Sequence, residues 1–423
     1  LLAKGKASMS LIVQKFGGTS VGSIERIENV ARKVISTKAQ GNDVIVVVSA
    51  MAGETDRLKA LADEVGADSS SDHQREIDVL LSTGEQVSIA LLSMMLKKLG
   101  CRARSYTGGQ IRILTDDAHT KARIQEIDTE KIGSDLAADK VVVVAGFQGV
   151  DSSGNITTFG RGASDLTAVA IAGVMAAAEC RIYTDVDGVY TTDPNVVEGA
   201  RCLESLTFEE MLELASLGSK VLHTRAVELA SKYKLPIRVL SSFNESPGTL
   251  ITSEEELDME RPMISGIAMT RDEAKLTVLG VDDVPGIAHK ILGPISAANI
   301  EVDMIVQNVA ADNSTDFTFT VARADYEKSM DILKKVAKDI EAREFTGDNK
   351  IAKLSLVGVG MRSHAGVASK MFETLADESI NIQMISTSEI KISVVIAEKY
   401  LELAARALHS KFDLSAIADS EQE

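Results

Sequence analysis

The C-terminal part of this chain repeats itself. Ala274–Val281 reads AKLTVLGV and Ala352–Val359 reads AKLSLVGV. After a two-residue shift, Gly286-Ile287-Ala288-His289-Lys290 faces Gly366-Val367-Ala368-Ser369-Lys370, and Ile300–Ile305 faces Ile380–Ile385. Three echoes in order imply two copies of one supersecondary unit. Each copy reads strand, glycine turn, helix, strand, and the period is near that of a small ferredoxin-like βαββαβ unit.

The preceding region has a different rhythm. From Ser10 to about Leu240, short apolar runs alternate with longer helical patterns. Leu11–Phe16, Asp43–Val48, Val141–Ala145, Arg181–Thr184 and Ile237–Leu240 read as strands. Ser23–Gln40 reads as a helix capped by Ser23, with Glu25 in the first turn and Ile27, Val30, Ala31 and Val34 on one face. Glu85–Leu99 is apolar nearly all round and ends at Gly100, which reads as a helix deep in the domain. This alternation implies a three-layer α/β/α domain around a mainly parallel sheet. The Asp/Ser-rich stretch Gly66–Gln74 reads as a surface loop. A boundary falls between Ser242 and Pro262, where Pro247-Gly248, Glu254–Glu256 and Pro262 break the pattern. The expected domains are 9–250, 264–345 and 346–423, with Leu1–Ser8 left out of the fold reasoning.

At 45% hydrophobic and 25% charged residues, the chain has the make-up of a folded soluble protein. Its longest apolar runs are too short to cross a bilayer and no signal peptide is evident, so no membrane partner is expected. A net charge of −17 argues against nucleic acid as a partner. Cys101, Cys180 and Cys202 lack CxxC spacing and the six His residues are scattered, which fits a reduced cytoplasm and no metal-ligand cluster.

Three segments carry chemistry. Lys15-Phe16-Gly17-Gly18-Thr19-Ser20 runs from a strand through glycines into a helix start, where backbone N–H groups can approach an anion. It is not a Walker A loop, because the lysine precedes the glycines; an ordinary tight βα turn remains the alternative. Phe159-Gly160-Arg161-Gly162-Ala163-Ser164-Asp165 leads into a small-residue helix, and Arg161 can grip a carboxylate bidentately. Capping alone would explain Ser164 or Asp165, but not the arginine and its flanking glycines. The third, Tyr183-Thr184-Asp185-Val186-Asp187-Gly188-Val189-Tyr190-Thr191-Thr192-Asp193-Pro194, lacks the acidic register of a calcium loop.

Together with VSAMAGETD from Val48, STGEQ from Ser82 and GFQG from Gly146, these segments resemble the aspartokinases, a branch of the amino-acid kinase family. The resemblance covers nearly the whole chain from Met9. Two positions depart from the family pattern: Ala163, usually Gly, and Leu166, usually Thr or Tyr. The added methyl at Ala163 is expected to crowd the substrate carboxylate or to restrict the loop's φ.

The resemblance implies ATP- and Mg²⁺-dependent phosphorylation of the β-carboxylate of L-aspartate. Lys15 would stabilise the transferring phosphoryl group, with Asp165 as its catalytic companion. Arg161 would clamp the substrate α-carboxylate, Glu85 with Asp165 its ammonium, and Ser49, Thr55 and Ser164 its β-carboxylate. Gly17, Gly18, Thr184, Asp185, Tyr190, Asp193, Pro194 and Lys220 would hold the nucleotide. The repeat looks like tandem ACT domains, with one unit threaded into the other so that the strand near Ile264–Ala268 belongs to the second. Effector contacts carry over to Asp283, Gly286, Ile287, Ala288, Gln307, Asn381 and Ile382, with lysine, threonine or both as effectors and a homodimer formed through these units. Rival readings are a kinase for acetylglutamate, glutamate or UMP, and a catalytically silent amino-acid sensor. Arg161 and Glu85 suit the two charges of a free amino acid and argue against UMP and acetylglutamate. With no GxGxxG before Glu423, a fused homoserine dehydrogenase is not expected.

Overall fold

Runs of valine and isoleucine are buried on both faces, as central strands of a parallel sheet must be. In the computed structural model they form the middle of an eight-stranded sheet. Its order is Ser205–Thr207, Thr249–Thr252, Ile237–Ser241, Glu179–Thr184, Leu11–Phe16, Asp43–Val48, Val141–Ala145, Ala103–Tyr106. All neighbours are parallel except Ile237–Ser241 with Thr249–Thr252. A smaller sheet joins Ile124–Ile127, Ile113–Thr115, Gln148–Val150 and Ile156–Thr158. The structure describes residues 10–67, 71–160, 162–218, 221–257, 263–309, 314–363 and 366–415.

The helix Ile24–Ala39 begins where Ser23 accepts the Arg26 N–H, and it buries Ile27, Val30, Ala31 and Val34. Opposite it, Ile89, Leu92, Met95 and Leu96 join the same core with Val44, Val46, Val48, Val141 and Val143. They belong to the helix Ser71–Lys98, which starts well before the expected Glu85 and leaves less of the Gly66–Gln74 loop; residues 68–70 lie outside the described ones. Its polar first half and Gly84 hide its period. Gly84 is there for close approach, since a Cβ at that position would lie 2.7 Å from the Ala50 Cβ. By length and composition His73–Lys98 could cross a membrane, but half of its apolar window is buried in the fold, as in a core helix.

The described residues form two compact units, one drawn from 10–189, 202–215 and 221–257, the other from 190–201, 216–218 and 263–415. The second holds a six-stranded antiparallel sheet ordered Val302–Val309, Ser314–Ala322, Gly266–Asp282, Glu344–Val357, Lys391–Ala397, Ile382–Thr387. Its two long middle strands serve both repeat copies. Gly266–Thr270 pairs with Lys353–Val357, whereas Glu273–Asp282 pairs with Ser314–Ala322. Each copy buries its own helices: Ile287, Ile291, Ile295 and Leu333 in one, Val367, Met371, Leu375 and Leu408 in the other. Val197, from the short 190–201 segment, is built into the second of these cores.

Candidate active site

In an open parallel sheet, ligands meet the carboxyl ends of the strands, and that end is where the motif residues gather. Lys15 is the penultimate residue of the strand Leu11–Phe16, its Nζ 2.6 Å from Asp165 Oδ1 with both side chains largely buried. The contact is ionic, and Oδ1 has no hydrogen-bond partner among the described residues. On the other carboxylate oxygen, the His223 N–H donates to Asp165 Oδ2 at 3.4 Å. Gly17 comes next, where a Cβ would stand 3.6 Å from the Lys15 ammonium. Gly18 has no room for one: a Cβ there would sit 2.8 Å from the Ala50 carbonyl oxygen. The glycines therefore press the first loop against the second.

That second loop carries Ser49, whose N–H donates to Phe16 O, and leads into the helix Glu54–Glu64, with Thr55 in its first turn. The Ala50 N–H donates to Glu85 Oε1 at 3.0 Å. Glu85 is almost fully buried on the Ser71–Lys98 helix, and its Oε2 has no partner among the described residues. Burial pushes its carboxyl up to about 7, although the Ala50 bond pulls the other way. A buried carboxylate with half its acceptor capacity unused is costly unless a cation arrives.

Ser164 opens the helix Ser164–Val174 and is seated by another glycine. A Cβ on Gly146 would fall 2.7 Å from Ser164 Oγ. The loop before this helix turns at Gly160 and Gly162, with φ of +92° and +81°, and Arg161 lies outside the described residues. Ala163 has φ −78°, so the departure from glycine puts no strain on this backbone. The expected restriction of φ does not arise there.

The structure thus brings Lys15, Gly17, Gly18, Ser49, Glu85, Ser164 and Asp165 to one end of the sheet. Thr184 closes the strand Glu179–Thr184, and its hydroxyl donates to Asp185 at 3.1 Å. Tyr190, Asp193 and Pro194 group with the second unit, where Asp193 Oδ1 caps the Asn195 N–H, and Lys220 lies outside the described residues. Sequence reasoning missed His223 and Arg225. Burial lowers the pKa of the His223 imidazole, Asp165 opposing, and its Nδ1 is buried without a partner among the described residues. The Arg225 guanidinium donates to Phe159 O and Ala122 O at 3.0 and 3.1 Å. Nothing in their spacing marks them.

Among the effector candidates, Gly286 caps the helix Ile287–Ala297 with φ +94° and open space around it, and Gly366 does the same in the other copy with φ +99°. Ile287 is buried, and its N–H already donates to Val284 O. Gln307 and Ile382 lie on the two outermost strands of the six-stranded sheet, and Asn381 just precedes the second of these.

The amino acid kinase family model matches residues 10–241, and two ACT domain models match 275–338 and 354–412. An aspartate kinase of Pseudomonas fluorescens is 68% identical over 97% of this chain and 99% of its own length. The chain belongs to the aspartate kinase family. Aspartokinase III of E. coli, solved in complex with aspartate and ADP in its R-state, superposes with a TM-score of 0.78 at 25% identity, covering 95% of this chain and 99% of that one. The same enzyme with lysine and aspartate in its T-state gives 0.75 at 26% identity, with the same coverage. For an aspartate kinase, the gathering of a lysine, a buried unpaired glutamate and glycine-rich turns at one sheet end is the arrangement to explain.

Proposed function

We propose that this chain transfers the γ-phosphoryl group of ATP to the β-carboxylate of L-aspartate, giving 4-phospho-L-aspartate, the entry to lysine, threonine and methionine synthesis. The observation that carries this reading is the unpaired Oε2 of Glu85, a buried acceptor suited to an ammonium. Arg161 supplies the planar fork for the α-carboxylate, and Ser49, Thr55 and Ser164 face the β-carboxylate. That nucleophile is already an anion, so no general base is needed; alignment and charge neutralisation carry the rate. Lys15 stabilises the charge on the phosphoryl group in flight, and Asp165 orients Lys15. Gly17, Gly18, Thr184 and Asp185 serve the nucleotide. For Tyr190, Asp193, Pro194 and Lys220 this role rests on the resemblance alone. Mg²⁺ supplies charge neutralisation across the phosphates when bound. Since no cluster of three or more ligand side chains occurs among the described residues, it fits this chain as an ion borne by the nucleotide. The proposed setting is the cytoplasm, with the chain a homodimer joined through its repeat pair. ADP release measured with aspartate, glutamate, acetylglutamate and UMP in turn tests the reading: turnover with aspartate alone is expected, and none with aspartate ends it.

The repeat pair is the regulatory part of this proposal. Lysine is the first effector to try, since E. coli aspartokinase III was solved with it, and threonine the second. Asp283 is exposed beside the Gly286 cap and would take the effector ammonium. Because the Ile287 N–H is already used, the helix start offers a carboxylate fewer free donors than the sequence suggests. Asp283→Ala should relieve inhibition and leave uninhibited turnover intact, with a coupling energy of about 1–3 kcal/mol lost. A flat response of the wild type to both amino acids, alone and together at millimolar concentration, removes the regulatory half and leaves the kinase half standing.

A further inference from the structure

Seven residues before Glu85, on the same face of the Ser71–Lys98 helix, lies a second buried carboxylate. Asp78 is completely buried, and three segments converge on it. The Thr158 hydroxyl donates to Oδ1 at 2.5 Å, and His119 Nδ1 sits 2.9 Å from Oδ2. The Thr120 N–H is shared between both oxygens, at 3.1 and 3.0 Å. An ionised carboxylate only accepts, so the His119 tautomer that bonds it carries its proton on Nδ1. Unlike Glu85, Asp78 has both oxygens occupied.

All three partners border the substrate loop. Thr158 ends the strand Ile156–Thr158 and directly precedes Phe159-Gly160. The Thr120 carbonyl oxygen lies 3.6 Å from where a Cβ of Gly160 would be. Thr120 itself has φ +66°, a left-handed backbone that a β-branched residue adopts only under constraint. The aim of its N–H at Asp78 supplies that constraint. From the other side, Arg225 holds Phe159 O and Ala122 O, and the Ala122 N–H donates to Thr158 O. Gly160 is therefore held by anchors on both flanks.

We infer that Asp78, through His119, Thr120 and Thr158, is the positioning residue that sets the Phe159-Gly160 turn beside the proposed aspartate site. One helix face then does two jobs: Glu85 receives the substrate ammonium, and Asp78, two turns earlier, places the Phe159-Gly160 turn. The inference rests on the proposed aspartate site and deepens it. In this reading these groups act through the turn, so their loss should show in substrate affinity before turnover.

Removing Asp78 outright would leave three donors without their acceptor, the Thr158 hydroxyl among them fully buried, and risk the fold. The test uses its partners. Thr158→Val keeps the side-chain shape and deletes the hydroxyl; His119→Ala deletes the imidazole at a partly exposed position; His119→Asn returns an N–H donor. Thr158→Val and His119→Ala should each raise the aspartate KM about tenfold, with kcat at saturating aspartate and the ATP KM within about twofold of wild type. His119→Asn should recover most of the loss. Folded variants whose aspartate KM stays within about twofold of wild type overturn the inference while the kinase reading survives. So does a parallel rise in the ATP KM, or a fall in Tm without the KM split, which would mark a plain structural tie. A wild type that does not turn over aspartate overturns both.

Discussion

Glu85 and Glu273 are both buried glutamates, one in each unit, and burial pushes both toward the neutral form. What surrounds them differs. Among the described residues Glu85 meets backbone N–H groups and no cation, and its second oxygen is idle. Glu273 faces Lys353 at 2.9 Å, and the same ammonium contacts Asp303. Lys353 pulls the Glu273 carboxyl back down, and although burial lowers the Lys353 pKa, the two carboxylates raise it on balance. The repeat unit closes its buried charge internally, whereas the kinase unit leaves one open. A closed set reads as architecture; an open one reads as a place kept for a ligand.

The lysines give the largest effect with which to break that comparison. Lys15→Ala should lower kcat by ~10²-fold or more, since its charge counts most in the transition state. Lys353→Ala should leave uninhibited kcat nearly intact and cost about 3–5 kcal/mol of stability, because it strands a buried carboxylate. Steady-state kinetics and denaturant melts on both variants decide the matter. If a folded Lys15→Ala enzyme turns over normally, the division of labour between the two buried lysines is wrong.

The glutamates sharpen it at a smaller scale. Glu85→Gln should weaken aspartate by about tenfold, on the order of 1.4 kcal/mol, yet leave Tm unchanged or raised. Glu273→Gln should lower Tm and spare aspartate affinity. The pH dependence has a definite sign. A carboxyl raised above its unfolded value gives stability that is fully present below about 4.5 and is lost as pH rises through about 7. The free enzyme thus pays for ionising Glu85, and a bound ammonium removes that cost. Aspartate affinity should rise between pH 6 and about 8 with proton release, measurable by calorimetry in two buffers, and flatten in Glu85→Gln. A pH-independent affinity in the wild type takes Glu85 out of the ammonium role.

What the sequence reveals follows from how local each cause is. Leu11–Phe16, Asp43–Val48 and Val141–Ala145 were legible with their bounds, because a buried parallel strand is a short continuous apolar run. So was the Ser23 cap, whose bond spans three residues. The start of the Ser71–Lys98 helix was not, because its first turns are polar and its glycine answers to Ala50 across the fold. The φ of Ala163 was invisible for the same reason. Asp78 is the extreme case: its partners lie 41 and 80 residues away, and no spacing rule reaches them. Gathered motifs can be read from sequence; the supports that hold them at an angle cannot.

The smallest effect concerns the two copies of the repeat. Lys275 and Lys353 occupy the same place in their copies, as do Asp303 and Gln383. Each lysine crosses to the other copy: Lys275 donates to Gln383 Oε1, and Lys353 to Asp303 Oδ2. The contacts are reciprocal in position and unequal in kind. Lys353 is buried and also answers Glu273, where the other copy has Ile351 at the equivalent position; Lys275 is only half-buried and meets a neutral amide. Lys275→Ala should therefore cost less than about 1 kcal/mol, a fraction of the loss expected at Lys353. Gln383→Asp makes the inferior contact an ion pair, and at that exposure it should add no more than about 1 kcal/mol. Melts of these two variants beside Lys353→Ala measure the asymmetry directly. Equal losses at Lys275 and Lys353 would show that crossing between copies is what matters, and that the charge on Glu273 adds nothing to it.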